Sequence, residues 1–359
     1  MKSRTSLIAF FAAAAAALCL ALSPAASADG PKPVKVMTWN LFYGFDDGPV
    51  IAAAMTGDPA LIAPAATEAW RQVHATNFHK RVRDIALRIR LEEPDLIGVQ
   101  EAVRYTQIGP TGSVVETLDH LEILVAALRD VGLPYEVVSH IDTLAIDLPL
   151  SFDAQGNPTA VVSVQDRVAV LARSSHAKVA VSNPESGIYQ VILGPAVGFP
   201  FPLPQGWASV DVSASGHRFR FVATHLEDAS ADPSVLPIQE AQAAELVSTH
   251  AASGLPVVYT GDFNTDGFRK WPTYTLLTRD LGLTDAWKVV NHNAPGLTWG
   301  QSPDLLNPCP RLTQRLDLAL FSGAFRVTDA DVIGATFLAR IPAGMWPSDH
   351  AGLVVTLVP

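Results

Sequence analysis

Cysteine is almost absent from this sequence, which has two cysteines in 359 residues. One of them, Cys19, lies in an apolar N-terminal segment, so only Cys309 remains in the rest of the chain. A single thiol excludes an internal disulfide and a zinc site built from several cysteines. We interpret Cys309, which stands between two prolines, as a loop thiol.

Several common catalytic motifs are also missing. The sequence has no GxxxxGK[ST], GxGxxG, HExxH, CxxC or GxSxG pattern. These absences argue against P-loop and dinucleotide-binding enzymes, HExxH metalloproteases, CxxC redox proteins and α/β-hydrolases. After the N-terminal segment, no apolar run is long enough to span a membrane. No repeat or low-complexity linker divides the chain, so one domain is the simplest organisation.

The N-terminal segment has the pattern of a secretory signal peptide over residues 1–28. Lys2 and Arg4 precede an apolar run, which ends in small residues at 26–28. We therefore predict an exported protein with a single folded domain over residues 29–359. An uncleaved membrane anchor is the alternative.

The remainder of the chain is acidic. The sequence has 25 Lys and Arg against 35 Asp and Glu, and two of the basic residues but none of the acidic ones lie in 1–28, which leaves a net charge of −12. Such a charge argues against a protein that binds nucleic acid non-specifically through its own cations. It does not exclude one whose phosphate contacts pass through bound metal ions.

The hydrophobic pattern predicts an alternation of strands and helices. Strands are predicted at 34–42, 95–102, 135–141, 167–174, 217–227, 315–323 and 351–359, with another that begins at 256. Helices are predicted at 78–93, 118–132, 237–253 and about 273–280. Residues 45–77 resemble a long loop with some helix. Residues 188–207 are apolar and proline-rich, and either lie against a partner or a membrane surface or are tucked into the protein as a connection.

Polar side chains stand where the predicted strands end or are interrupted: Asn40, Glu101, His225, Asp262, Asn264, Asp317, Asp349 and His350. In PVVYTGDFNTDGF, Asp262 and Asn264 share one face of a strand because side chains alternate, although Asp, Asn and Gly also form turns. Carboxylates, amides and histidines without cysteines suit a hard cation such as Mg²⁺, Mn²⁺ or Ca²⁺. The set predicts metal-assisted attack of water on a phosphoester, with a histidine paired to an aspartate.

Six short motifs occur in order along the chain: TWN at 38–40, VQEA at 99–102, THLE at 224–227, GDFN at 261–264, RLDLAL at 315–320 and SDH at 348–350. Together they resemble the motifs of the endonuclease/exonuclease/phosphatase superfamily, which includes type I deoxyribonucleases, AP endonucleases, sphingomyelinases and inositol polyphosphate 5-phosphatases. The resemblance implies a DNase I-like fold. This fold is a four-layer α/β/β/α sandwich of two mixed, mainly antiparallel sheets.

The same resemblance implies the metal ligands. Glu101 would be the main Mg²⁺ ligand, with Asn40 beside it and Asp349 close to the metal. Mn²⁺ and Ca²⁺ are the alternative ions.

It also implies the catalytic roles. Asp262 would orient or deprotonate the attacking water, and Asn264 would hold a phosphate oxygen. His350, oriented by Asp317, would bind the scissile phosphate and transfer a proton. His225 would contact phosphate and assist the leaving group.

Structural interpretations compete with these roles for several residues. Asp317 is alternatively a strand-end cap, and Asn40 an amide that closes a loop. We expect Asp266 and Asp228 to be solvated loop acids, and Arg167 to be an exposed arginine at a strand end.

From these observations we expect an exported Mg²⁺-dependent phosphodiesterase that acts on a phosphoester substrate and has no obligate protein partner. THLE and the apolar 188–207 stretch favour a phospholipid of the sphingomyelin type and a peripheral membrane contact. A secreted endonuclease that cleaves DNA or RNA is the alternative. A catalytically inactive binding module is the hypothesis from another class.

Overall fold

Two facing sheets with helices on their outer sides make up the fold, as seen in a computed structural model that describes residues 31–174, 178–230, 232–341 and 344–359. The predicted signal peptide at 1–28 lies outside the described residues. Among the described residues, none of the helices is both long and apolar enough to cross a bilayer.

The described strands, in chain order, are β1 (Val34–Asn40), β2 (Leu96–Gln100), β3 (Arg104–Ile108), β4 (Val114–Asp119), β5 (Tyr135–Phe152), β6 (Pro158–Arg173), β7 (Val179–Ile188), β8 (Gly206–Ala214), β9 (His217–His225), β10 (Val257–Asp262), β11 (Thr284–Asp285), β12 (Asp317–Ser322), β13 (Arg326–Ile333) and β14 (Gly352–Val358). The described helices are α1 (Gly48–Thr56), α2 (Pro59–Thr76), α3 (Phe78–Glu92), α4 (His120–Asp130), α5 (Leu236–Ala251), α6 (Pro272–Thr275) and α7 (Ala286–Asn291). A π-helical turn, Leu276–Asp280, follows α6.

Both sheets are mixed and mainly antiparallel. The first has the order β13-β14-β1-β2-β6-β3-β4, with β5 also paired to β6, and the second has the order β11-β12-β10-β9-β8-β7. Each contains one parallel pair, β1 with β2 and β9 with β10. The predicted sheet arrangement is therefore confirmed.

The central core lies between the two sheets. Val36, Val170, Phe221 and Val258 are buried there and belong to one apolar cluster. The sheets approach each other closely at Gly98, where an added Cβ would lie 2.9 Å from the Cβ of Ala223. Since strand side chains alternate, every second residue along a central strand faces this space.

The outer faces of the sheets are covered by helices. Against the first sheet, α3 and α4 bury Ile85 and Leu124 in a cluster that includes Trp39. Against the second sheet, α5 buries Leu246 with Tyr259. The four layers agree with the α/β/β/α sandwich expected from the motifs.

Several segments differ from the sequence-based expectation, including strands β3, β7, β8 and β13, which the hydrophobic pattern did not predict. Residues 45–77 are mostly helical rather than mostly loop, because Asp58 caps α2 by accepting from the Ala60 N–H, and Trp70 packs against Tyr105. Residues 118–132 are not helical throughout. The chain is extended in β4 up to Asp119, whose side chain accepts from the Glu122 N–H and starts α4 at His120.

The apolar 188–207 stretch connects β7 to β8. Its base is packed, since Trp207 is buried and Leu193 forms a β-bridge with Leu203. Further out, the half-buried rings of Phe199 and Phe201 meet edge to face at 5.1 Å.

Candidate active site

One edge of both sheets collects the strand ends that carry the predicted site residues. Asp262, the last residue of β10, is paired with His225 at the end of β9 and with Asp317 at the start of β12. In the facing sheet, Asn40 at the end of β1 is paired with Gln100, next to Glu101. Asn40 and Asp262 each lie an even number of residues after a valine of the central core on the same strand, Val36 and Val258. Because strand side chains alternate, the side chains of Asn40 and Asp262 also face the space between the sheets.

Asn40 joins the two sheets at this edge. Its side-chain nitrogen Nδ2 donates to Glu101 Oε1 at 2.8 Å and to Asp262 Oδ2 at 3.1 Å. Its oxygen Oδ1 accepts from the Phe42 N–H at 2.9 Å. One buried amide therefore holds two carboxylates from different sheets beside each other.

Glu101 is the carboxylate best placed for a cation. Its Oε2 accepts from the Tyr43 N–H at 2.6 Å, and its backbone is left-handed with φ 51°. Burial, and then the charge of Asp349, raise the pKa of Glu101 well above its ordinary value. The carboxylate is thus held in position by neutral donors, and its charge is not balanced by a lysine or an arginine in any described ion pair.

His350 and Asp317 form the predicted pair. His350 Nδ1 lies 2.8 Å from Asp317 Oδ2, and its Nε2 lies 3.6 Å from Asp262 Oδ2. Burial alone would lower the pKa of His350, but the carboxylates of Asp317, Asp349 and Asp262 outweigh it and raise that pKa well above its ordinary value. The structure therefore favours the protonated, imidazolium form of His350. Its Nδ1–H donates to Asp317, and its Nε2 faces the Asp262 carboxylate.

Asn264 lies beyond the end of β10 in a left-handed conformation, with φ 48°. Its N–H donates to Asp262 Oδ1 at 2.9 Å, and its Nδ2 donates to the carbonyl of Leu226 at 2.9 Å and lies 3.2 Å from His225 Nε2. GDFN is thus both a strand end and a turn. Asp262 lies beside His225 because their strands are paired, whereas Asn264 reaches His225 through the turn.

Two groups of side chains bring potential metal ligands within 4.8 Å of one another. The first is Glu101, His225 and Asp262, and the second is Asp262, Asp317 and His350. Asp349 belongs to neither group. Its carboxylate accepts from Ser348 Oγ at 3.3 Å, and burial raises its pKa.

Sequence reasoning missed Asp166. This carboxylate is 1% exposed, its Oδ2 accepts from Thr143 Oγ1 at 3.0 Å, and its Oδ1 has no hydrogen-bond partner in the described part of the chain. Burial raises the pKa of Asp166, and the nearby His225 partly opposes that rise. Asp166 lies within β6 and not at a strand end, and the available signal was its position just before the apolar run RVAVLAR.

Gln239 was also missed. This residue of α5 is buried, and its Nε2 donates to the carbonyls of Glu227 at 2.7 Å and of Asn264 at 2.9 Å. It thereby fixes the loops after β9 and β10 to each other. A glutamine on the buried face of a helix was the signal.

Two residues judged from sequence to be exposed are buried. Arg167 is 8% exposed, donates from Nε to the carbonyl of Ala102 at 2.8 Å and pairs with Asp119. Asp266 is fully buried, and its Oδ1 is satisfied there by accepting from the Phe268 N–H at 2.8 Å. Asp228, in contrast, is exposed as expected.

Comparison with known proteins agrees with this geometry. Residues 37–350 match the sequence model of the Endonuclease/Exonuclease/phosphatase family. No curated protein matches the chain.

Solved structures with the same fold come from several organisms. An endonuclease/exonuclease/phosphatase family protein from Bacteroides thetaiotaomicron is 16% identical with a TM-score of 0.57, over 91% of this chain and 95% of that one. A mannosyl-6-phosphatase from the same organism is 17% identical with a TM-score of 0.55, over 91% and 100%. TDP2 of D. rerio, complexed with a single-strand DNA product, is 14% identical with a TM-score of 0.52, over 91% and 99%. At these identities the likeness shows the fold.

Proposed function

This chain belongs to the endonuclease/exonuclease/phosphatase family, whose members are phosphoester hydrolases, and we propose that it is a divalent-metal-dependent phosphodiesterase. The observation that carries the proposal is the convergence of Asn40, Glu101, Asp262 and His350 at one edge of the two sheets. The Asn40 amide presents its nitrogen to the site and not its oxygen, so the ligands left for a cation are carboxylate oxygens, which fit a hard ion, and Mg²⁺ is the ion that we propose. Glu101, with Asp349 nearby, would hold it.

Held by these carboxylates, a divalent ion would supply charge neutralisation for the phosphate oxygens and for the leaving oxygen. The protein's own groups then supply the proton transfers. Asp262, fixed by Asn40 and by the Asn264 N–H, accepts a proton from the water that attacks phosphorus. His350 donates from Nε2 to a non-bridging phosphate oxygen, with its ring held in place and its imidazolium form stabilised by Asp317.

His225 is proposed to act on the leaving side. Its Nε2 lies 3.2 Å from Asn264 Nδ2 and 3.6 Å from Asp262 Oδ2. As the bond from phosphorus to the leaving oxygen breaks, His225 would supply the proton that this oxygen requires.

The charges around the site favour a substrate with one negative charge on phosphorus. Among the described residues, no lysine or arginine forms an ion pair with Glu101, Asp262, Asp317 or Asp349. A polyanion such as nucleic acid would meet this acidic edge unfavourably at each flanking phosphate. A zwitterionic phospholipid of the sphingomyelin type would not, and we propose it as the substrate class.

The position of the apolar loop supports the same substrate class. Gly206, where β8 begins, is paired with His225, so the loop before it emerges at the site edge of the second sheet. Ile188 and Val191 are exposed in this loop. We propose that it makes a peripheral contact with the lipid surface, and that the predicted signal peptide exports the enzyme to that surface.

Hydrolysis assays with the purified mature chain test the proposal. Sphingomyelin vesicles and supercoiled plasmid DNA are offered side by side with Mg²⁺ and then with EDTA, and Asp262→Ala serves as the contamination control. EDTA-sensitive release of phosphocholine with intact plasmid is the expected result. Nicked plasmid with intact vesicles would make the enzyme a nuclease, and no Asp262-dependent hydrolysis of either would favour a binding module or another phosphoester.

A further inference from the structure

Arg81, on α3, is fully buried directly beneath the site. Its guanidinium donates from Nε to the carbonyl of Thr76 at 3.0 Å, and from Nη1 to the carbonyls of Leu41 at 2.9 Å and Pro347 at 2.7 Å. Nη2 donates to the carbonyl of Phe42 at 3.4 Å. All four acceptors are backbone oxygens, so this cation binds chain turns and not a carboxylate.

Two of the three segments that Arg81 binds carry site residues. Leu41 and Phe42 directly follow Asn40, whose Oδ1 accepts from the Phe42 N–H. Pro347 directly precedes the SDH motif at 348–350. One rigid planar group therefore joins the loop after β1 to the loop before β14, which are distant in sequence.

Other contacts keep the guanidinium in this position. The ring centroids of Phe78 and Phe42 lie 4.9 Å and 5.6 Å from its central carbon. Burial lowers the pKa of Arg81 to about 10, while Asp349 and Glu101 act in the opposite direction. The group is therefore charged at neutral pH and lies near the acids that would hold a metal ion.

We propose that Arg81 is a positioning residue of the active site. By joining the two loops, its guanidinium sets the distance between Asn40 with its Glu101 partner and the Asp349-His350 pair, and so fixes the geometry in which these groups bind a divalent cation and phosphate. The catalytic part of this inference rests on the proposed phosphodiesterase function. The metal-binding part does not.

Arg81→Lys is the main test variant, because it keeps the charge but cannot reach four carbonyl oxygens in a fixed plane with one nitrogen. Arg173→Lys is the matched control. Arg173 is similarly buried and donates to Asp95 Oδ1 at 2.8 Å. It is the last residue of β6, at the end of the first sheet that lies away from the site. Four quantities are compared: the melting temperature, the Mn²⁺ dissociation constant from calorimetry, and kcat and KM for bis(p-nitrophenyl) phosphate.

Both variants are expected to lose stability, but only Arg81→Lys should weaken Mn²⁺ binding, by about tenfold, and lower kcat by about tenfold or more. Wild-type Mn²⁺ affinity and kcat in a folded Arg81→Lys protein would overturn the inference. Equal losses in Arg173→Lys would reduce Arg81 to a purely structural residue. If the wild type hydrolyses nothing, the Mn²⁺ comparison still tests the inference.

Phe78→Leu provides a milder perturbation if Arg81→Lys does not fold. The change removes the ring beneath the guanidinium and leaves the arginine in place. We expect smaller losses of Mn²⁺ affinity and kcat in the same direction, and a folded Phe78→Leu protein with both values unchanged would contradict the proposal.

Discussion

Replacement of Asp317 by asparagine is the change that most directly tests the proposed catalytic pair. Asp317 is fully buried, and its Oδ2 lies 2.8 Å from His350 Nδ1. Asparagine has the same shape, and the Asp317 backbone N–H keeps its bond to Thr298 Oγ1. The substitution therefore removes the negative charge that stabilises the His350 imidazolium while the strand stays in place.

The size of the effect follows from the kind of bond that is lost. A hydrogen bond to a charged group contributes about 1.5–3 kcal/mol, and a loss of about 3 kcal/mol in the transition state lowers kcat by roughly 150-fold. We therefore expect kcat to fall by about 10²-fold and KM to change little. Because Asp317 helps to raise the pKa of His350, the alkaline limb of the kcat profile should also move to lower pH.

Asp285→Asn is the matched control for this measurement. Asp285 is a buried aspartate at the end of the neighbouring strand β11, where it pairs with Arg315 at 2.7 Å and takes no part in the site. Both variants are assayed with bis(p-nitrophenyl) phosphate and Mn²⁺ across pH, with thermal unfolding to confirm folding. A folded Asp317→Asn enzyme with near-wild-type kcat and an unmoved alkaline limb would refute the proposed role of the pair.

Three further changes test other parts of the structure. Glu101→Gln should weaken Mn²⁺ binding by about 100-fold without unfolding the chain, as measured by calorimetry, and wild-type affinity would exclude Glu101 as the main ligand. Burial raises the pKa of Glu227 from 4.5 to about 8. The neutral acid is therefore favoured in the folded protein, and ionisation of Glu227 destabilises the fold as pH rises through that range. Glu227→Gln should raise the free energy of unfolding at pH 9 by several kcal/mol, at most about 5, and should not change it at pH 4. Asp119→Ala should lower the free energy of unfolding in urea by about 3–5 kcal/mol because it leaves Arg167 buried and unpaired, and a loss below about 1 kcal/mol would show that water replaces Asp119.

The sequence predicts the residues of the site better than it predicts their spatial arrangement. Polar side chains at the ends of apolar strands are visible because the strands alternate and their burial is continuous. Which strands are neighbours depends on pairing between distant segments. His225, Asp262 and Asp317 lie side by side only because β10 pairs with both β9 and β12 in that register.

Other parts of the fold carry weaker local signals. The long hairpin of β5 and β6 has many half-exposed positions, so its outer halves lack the apolar run that marks a buried strand. Arg167 and Asp266 were expected to be exposed because a charged side chain is rarely buried without a partner. The partner of Arg167, Asp119, is distant in sequence and cannot be assigned locally. Asp266 instead accepts from the N–H groups of Phe268 and Arg269 and pairs with the Arg269 side chain, so its partners lie in the local turn that the sequence-based prediction did not use.

Burial of several acids at one edge implies that cation binding and protonation compete there. Burial raises the pKa values of Glu101, Asp317 and Asp349 above those of free side chains, and the carboxylates raise the pKa of His350. The acids at this edge therefore bind protons more tightly than free side chains do. A divalent cation at Glu101 has to displace such protons, so its affinity should increase with pH until the acids are ionised. The same burial that makes the isolated site costly to ionise also strengthens its attraction for a cation, because both effects arise from the low dielectric between the sheets.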